Sequence, residues 1–285
     1  MGTGDGRGGR ARYALLVTVP PKPLSAEYFD DWYSDKAASP AVRGIMNRHL
    51  GFPPELLAGI VPAEAIPEIT AELRLRPGGM LADLACGRSA YGLLIAKAAG
   101  ARLTGVDFSA EAIAQAEQQA VRLGVSDARF QVGDLTASGL PDESADAVLC
   151  TDSIQFPDEP PVAYREIRRV LRPGGRVVLT CWDAVEHDDQ RLSARLRAVD
   201  LAAGLREAGF TEIKVEERPN WRELERAVWK EAVTLDPGDD PALHSFRDEG
   251  TRSLGHIDLI RRVLAVATRP LPPPFAGRAA TRQIG

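Results

Sequence analysis

The chain has little of what several kinds of ligand site are built from. Among its 285 residues are three cysteines, Cys86, Cys150 and Cys181, and four histidines. The cysteines lie far apart on apolar stretches, which points away from a disulfide framework or a zinc site and toward buried thiols in a reducing compartment. Lysine supplies only five of the 35 basic residues, and the net charge is −5. Without clustered cations to neutralise a phosphate backbone, nucleic acid is not expected as the main partner. No apolar run approaches the ~18 residues of a membrane helix, and no signal-peptide pattern opens the chain. A cytoplasmic protein with no membrane partner and no metal is the expectation. Glycines are also scarce where a ligand loop would use them: the stretch "DLACGRSAYG", Asp83 to Gly92, holds only Gly87 and Gly92.

What is present is enough apolar sequence, 44% of residues, for one large core. Residues 1–24 begin Gly-rich and end Pro-rich and read as a loosely attached arm, with "YALLVTV" inside it as a candidate edge strand. Residues 25–76 hold short helical patterns, "SAEYFDDWYSDKA", "PAVRGIMNRHL", "PPELLAGI" and "AEAIPEITAELRL", separated by Pro and Gly. From 77 to 220 apolar strand runs alternate with helical ones, the rhythm of a parallel α/β sheet covered on both faces. Residues 221–260 read as inserted helices, 261–270 as a last strand and 271–285 as a surface tail.

In such sheets ligands bind at the carboxyl ends of the strands, near the point where strand order reverses. Four strand ends here carry polar groups that a buried strand does not need: Asp83, Asp107, Asp134 and the stretch "CTDSIQF" from Cys150 to Phe156. One acidic strand end says little. Three on successive strands form a constellation.

The motifs "LADLACGRSAYG", "GVDFS", "FQVGDL", "LPDESADAVLC" and "LRPGGRVVLT" come in the order of a class I S-adenosylmethionine-dependent methyltransferase of the small-molecule type, which the chain resembles over residues 76–183. The resemblance implies an α/β, Rossmann-like fold with a seven-stranded, mostly parallel sheet. The N-terminal helices and the late helical insertion would form a lid. It also implies S-adenosylmethionine as cofactor. Asp83 with the backbone of Ala85 and Gly87 would hold the methionine end, Asp107 the ribose, Phe108 the adenine face, Asp134 and Leu135 the base edge, and the Thr151 backbone the amino group. A nicotinamide cofactor is less suited, because its pyrophosphate needs close backbone approach where Ser89 adds bulk. Where the family usually has glycine, Ala85 costs little if its backbone angles are ordinary, and Ser89 reads as a cap for the helix behind it.

Methyl transfer from a sulfonium is an in-line displacement, in which alignment supplies much of the rate. A base is needed only when the acceptor must lose a proton. Related sugar methyltransferases often place a histidine after the fourth strand, whereas this chain has Gln155 and Phe156. Asp152 and Gln155 are the positioning candidates beside the sulfonium, and Tyr28, Tyr33, Phe156 and His256 the candidate acceptor contacts. A small-molecule acceptor is expected, with O-methylation of a natural product or sugar intermediate favoured. N- or C-methylation, a non-catalytic donor-binding scaffold and a nicotinamide oxidoreductase are the alternatives. The chain is expected to act as a monomer or homodimer.

Overall fold

A computed structural model describes residues 25–56 and 58–273, without the side chains of 35–38. The arm at 1–24, with its candidate edge strand, and most of the tail lie outside the described residues. The described residues open with α1 (Ala26–Ala38), α2 (Pro40–Leu50) and α3 (Ile66–Leu73), then enter the sheet. Next come β1 (Met80–Leu84), α4 (Ala90–Ala99), β2 (Arg102–Asp107), α5 (Ala110–Leu123), β3 (Ala128–Val132), β4 (Ala145–Thr151), α6 (Pro160–Val170) and β5 (Leu171–Ala184). The remainder is α7 (Ala194–Arg197), α8 (Leu201–Glu207), β6 (Thr211–Glu217), α9 (Pro219–Thr234), α10 (Pro241–His256) and β7 (Ile260–Thr268).

The seven strands run in the order β3-β2-β1-β4-β5-β7-β6, with β7 antiparallel to both of its neighbours and the other pairings parallel. The central strands are continuous apolar runs because helices cover both of their faces: in β4, Ala147 to Cys150 are wholly buried. Two apolar cores result, one on each face of the sheet. Strand order reverses between β1 and β4, so the crevice above their carboxyl ends is the place for a ligand.

Two expectations give way. "PPELLAGI" forms no helix, since Pro53 and Pro54 start only a turn. The run "RAVDLAAGLREAGF", which reads as one helix ending at Gly209, is helical only over α8 apart from Arg197 at the end of α7, because the Asp200 side chain accepts from Ala203 N–H and starts the helix there. The helices that flank the sheet in sequence meet in space. Ser39 Oγ, between α1 and α2, donates to Asp240 Oδ2 at 2.6 Å at the start of α10, and His49 Nε2 lies 2.6 Å from Glu231 Oε2 on α9. The N-terminal and late helices therefore make a single cover over the crevice.

Candidate functional site

The loop after β1 is built on three left-handed residues, Ala85, Gly87 and Ser89, with φ of 53°, 52° and 52°. For alanine and serine this backbone costs about 1–2 kcal/mol each, so the expectation of ordinary angles at Ala85 does not hold. Ser89 does not cap α4 either. An N-cap needs extended backbone, and the left-handed turn swings the serine back toward β1, where its Oγ donates to Asp83 Oδ2 at 2.8 Å. Gly92 completes this arrangement. A Cβ built on it would lie 2.4 Å from Asp83 Oδ2 and 2.8 Å from Ser89 Oγ. That glycine makes room for a carboxylate.

Asp83 is 1% exposed and its Oδ1 has no partner among the described residues. Burial, aided by the neighbouring Asp107, pushes its carboxyl up to about 7 against the opposing pull of the Ser89 bond. Asp107, at the end of β2, accepts from Gly87 N–H at 2.7 Å on Oδ2 and from Ser109 N–H at 3.0 Å on Oδ1. Burial raises it to about 6 despite those bonds. Two buried carboxyls stand side by side, and the nearest guanidinium does not answer them. Arg88 donates through Nε to Gln115 Oε1 and through Nη2 to the Tyr33 carbonyl, at 2.5 and 2.8 Å.

Above the loop lies a cavity of about 660 Å³, within the range of small-ligand sites. Of the residues singled out in the sequence, Ala85, Gly87, Asp107, Phe108, Asp134, Leu135, Thr151, Asp152, Tyr33 and Phe156 line it. Asp134 is exposed at the rim, where Oδ1 accepts from Thr136 N–H at 2.7 Å. Asp83 sits just behind the loop. Gln155 is not brought to the cavity: it is 4% exposed, with Nε2 donating to the Asp152 carbonyl at 2.8 Å and Oε1 accepting from Cys181 Sγ at 3.2 Å. It braces the turn after β4, so its expected place beside the reacting atoms is corrected. Tyr28, on α1, is buried against Phe29, and His256, bonded through Nδ1 to Arg252 O, ends α10. Neither lines the cavity.

Asp152 keeps its place but not its freedom. It sits at φ 53° and accepts both of its close bonds from Arg262 Nη2, at 2.8 and 2.7 Å, together with one from Thr180 Oγ1 at 2.8 Å. Arg262 on β7 also donates to Glu225 Oε2 at 3.1 Å and stacks over the Trp182 ring at 4.1 Å. Glu225 in turn accepts from the indole N–H groups of Trp182 and Trp229. This wall was missed in the sequence. Its signals were an arginine heading the apolar run "RVLAVAT" and a glutamate between the tryptophans of α9.

Helix α1 closes the cavity from above. Asp30 accepts from Ser109 Oγ and from Glu111 N–H, and Tyr33 rests on Gly87 so closely that a Cβ there would lie 2.5 Å from its hydroxyl. Phe29 packs against Phe108 and Phe156, with centroids 5.0 and 5.8 Å apart. The "YFDDWY" helix is thus both core and lining.

The residues fit a cationic donor. An unpartnered buried carboxylate oxygen and a second carboxyl raised by burial suit an ammonium or sulfonium, whereas a pyrophosphate would face two acidic groups with no free cation beside them among the described residues. A family model described as "Methyltransferase domain" matches residues 82–179. Phosphoethanolamine N-methyltransferase 3 of Arabidopsis thaliana is 30% identical over 164 residues, covering 54% of this chain and 33% of the plant protein. The 27-O-demethylrifamycin SV methyltransferase of Amycolatopsis mediterranei is 30% identical over 168 residues, covering 52% of this chain and 62% of its own length. The chain therefore spans less than two thirds of either relative. Among solved structures, the (4+2)-cyclase SpnF shares the fold with a TM-score of 0.68 at 22% identity, over 88% of this chain and 98% of that one. With the sheet order and the acidic strand ends, the match identifies residues 82–179 as a methyltransferase domain, similar in fold to the class I S-adenosylmethionine-dependent methyltransferases.

Proposed function

We propose that the protein transfers a methyl group from S-adenosylmethionine to a small organic acceptor held under α1. The observation that carries this reading is the pair Asp83 and Asp107 at adjacent strand ends, buried, raised in pKa and aimed at the loop that Ser89 and Gly92 shape around them. The donor supplies an electrophilic methyl. Asp83 and the Gly87 loop would hold its methionine end, Asp107 the ribose, and Phe108, Asp134 and Leu135 the base. The covering helices would exclude water and align the acceptor, which is where most of the rate in such a displacement arises. Oxygen is the acceptor atom we favour, on the resemblance to small-molecule methyltransferases of natural products and sugars. Three buried, unbridged thiols suit a reducing cytoplasm, and we expect a monomer or homodimer there.

Calorimetry with S-adenosylmethionine and with NADH tests this directly. Saturable heat is expected with the first only, and Asp107→Asn should weaken it about tenfold to a hundredfold, as loss of a charge-assisted hydrogen bond does. Heat with NADH alone sinks the reading. Release of S-adenosylhomocysteine with a panel of alcohols, phenols and amines then separates transfer from mere binding.

Donor affinity should also depend on pH in a stated direction. Asp83 and Asp107 hold their protons more tightly than the ordinary value of 3.8 allows. Ionising them costs the folded protein stability as pH rises from about 4 to about 7, and a cationic ligand offsets that cost. Because a group titrating at about 7 must ionise for binding, affinity should rise about tenfold between about pH 6 and about pH 8. A flat profile across that window would contradict the role given to Asp83.

A further inference from the structure

The cavity extends past the donor loop toward α2 and α9, where Val42, Arg43, Met46, Asn47, Trp182 and Trp229 form its far wall. Arg43, Met46 and Asn47 follow the i, i+3, i+4 spacing of one helical face. The basic side chains at the end of α2 are paired: Arg48 and His49 both meet Glu231 on α9. The other guanidinium groups at the cavity are paired as well. Arg88 is held by Gln115 and the Tyr33 carbonyl, and Arg195 donates to the Phe156 carbonyl and to Asp158 at 2.6 Å.

Arg43 differs. It is half-buried on the cavity face, and its guanidinium has no hydrogen bond or ion pair among the described residues. The carboxylates that could have answered it are engaged elsewhere: Asp152 and Glu225 share Arg262, Asp158 pairs with Arg195, and Glu249 on the α10 wall has a partner within the fold. Asn47 beside it spends its amide N–H₂ on the Pro53 carbonyl at 2.8 Å, which fixes the orientation of the amide. A planar guanidinium left without a counter-ion in a ligand cavity is a fork for a carboxylate or phosphate, which it can meet with two parallel bonds.

From this we infer that the acceptor carries an anionic group, a carboxylate or a phosphate, which Arg43 binds at the α2 end of the cavity. This rests on the reading of the site as a methyl-donor site, since it assigns the part of the cavity which the donor loop leaves over. The anion fixes the acceptor from its far end. The group to be methylated is then directed back toward β4, where Thr151 and Asp152 close the cavity.

The test uses the full chain saturated with S-adenosylhomocysteine and titrated with benzoate, phenyl phosphate, benzyl alcohol and benzylamine. One or both anions should bind at least about tenfold tighter than benzyl alcohol, as a charge-assisted pair allows. Which anion wins tells carboxylate from phosphate. Arg43→Gln should erase that preference, while leaving the affinity for S-adenosylhomocysteine within about twofold, which serves as the control for folding. The assignment is overturned if neither anion binds, if the neutral or cationic probe binds as tightly, or if the variant keeps the preference. Absence of S-adenosylhomocysteine binding to the unaltered chain overturns the donor reading itself, and the two failures are thereby distinct.

Discussion

Replacing Arg262 by methionine should lower the unfolding free energy by about 3–5 kcal/mol, the cost of removing one partner from a buried ionic cluster. Arg262 is 1% exposed and stands between two carboxylates, Asp152 and Glu225, that have no other guanidinium among the described residues. Burial already raises Glu225, and Arg262 is the largest influence opposing that shift, ahead of the indole N–H bonds from Trp229 and Trp182. Without the arginine, both acids must either take up protons or stay ionised in a low-dielectric wall. Urea unfolding measures the loss. The triple variant Asp152→Asn, Glu225→Gln, Arg262→Met should regain most of it, because it removes the charges together. If the triple variant is as unstable as the single one, the shape of the arginine and its stacking on Trp182 would carry the effect, and the electrostatic account would fail.

The second large effect is expected at Gly92. Its alanine variant places a methyl 2.4 Å from Asp83 Oδ2 and 2.8 Å from Ser89 Oγ, closer than non-bonded atoms can lie, so the carboxylate and the serine must both move. Overpacking of this kind costs about 1–3 kcal/mol in stability. The damage to binding should be larger, a loss of donor affinity of about a hundredfold or more, since the bond that orients Asp83 and the loop around it are displaced together. Adding Ser89→Gly relieves one of the two contacts and should recover stability without recovering affinity. Donor binding in Gly92→Ala within a few fold of the unaltered protein would show that the Asp83 carboxylate takes no part in holding the ligand.

Much of the fold was legible because its signals are local and repeated. Apolar runs closed by Asp83, Asp107 and Thr151 mark strands buried on both faces, and Ser109 ahead of "AEAIAQAEQQAV" marks the start of α5, where its Oγ accepts from Ala112 N–H. The strand-end side of the cavity was legible for the same reason, since each strand end carries its own residue. The opposite wall was not. Arg43, Trp182 and Trp229 lie on separate elements, and nothing in a single sequence pairs them. Gln155 was misplaced because motif position gives distance along the chain and not the direction of a side chain, which the positive φ of Asp152 has turned inward. Ser89 was misread because serine before a helix is usually a cap, and only the left-handed backbone shows that its hydroxyl points to β1 instead.

The alternating left-handed residues 85, 87 and 89 have one more consequence. A run of such turns gathers backbone N–H groups into a hollow that elsewhere holds a free anion. Here the chain supplies that anion itself, since the Gly87 N–H is given to Asp107. If the loop holds the donor as proposed, it would act as a cation exchanger: protons and a positively charged ligand would compete for its two carboxylates, and cofactors would be sorted by the sign of their charge before shape is consulted.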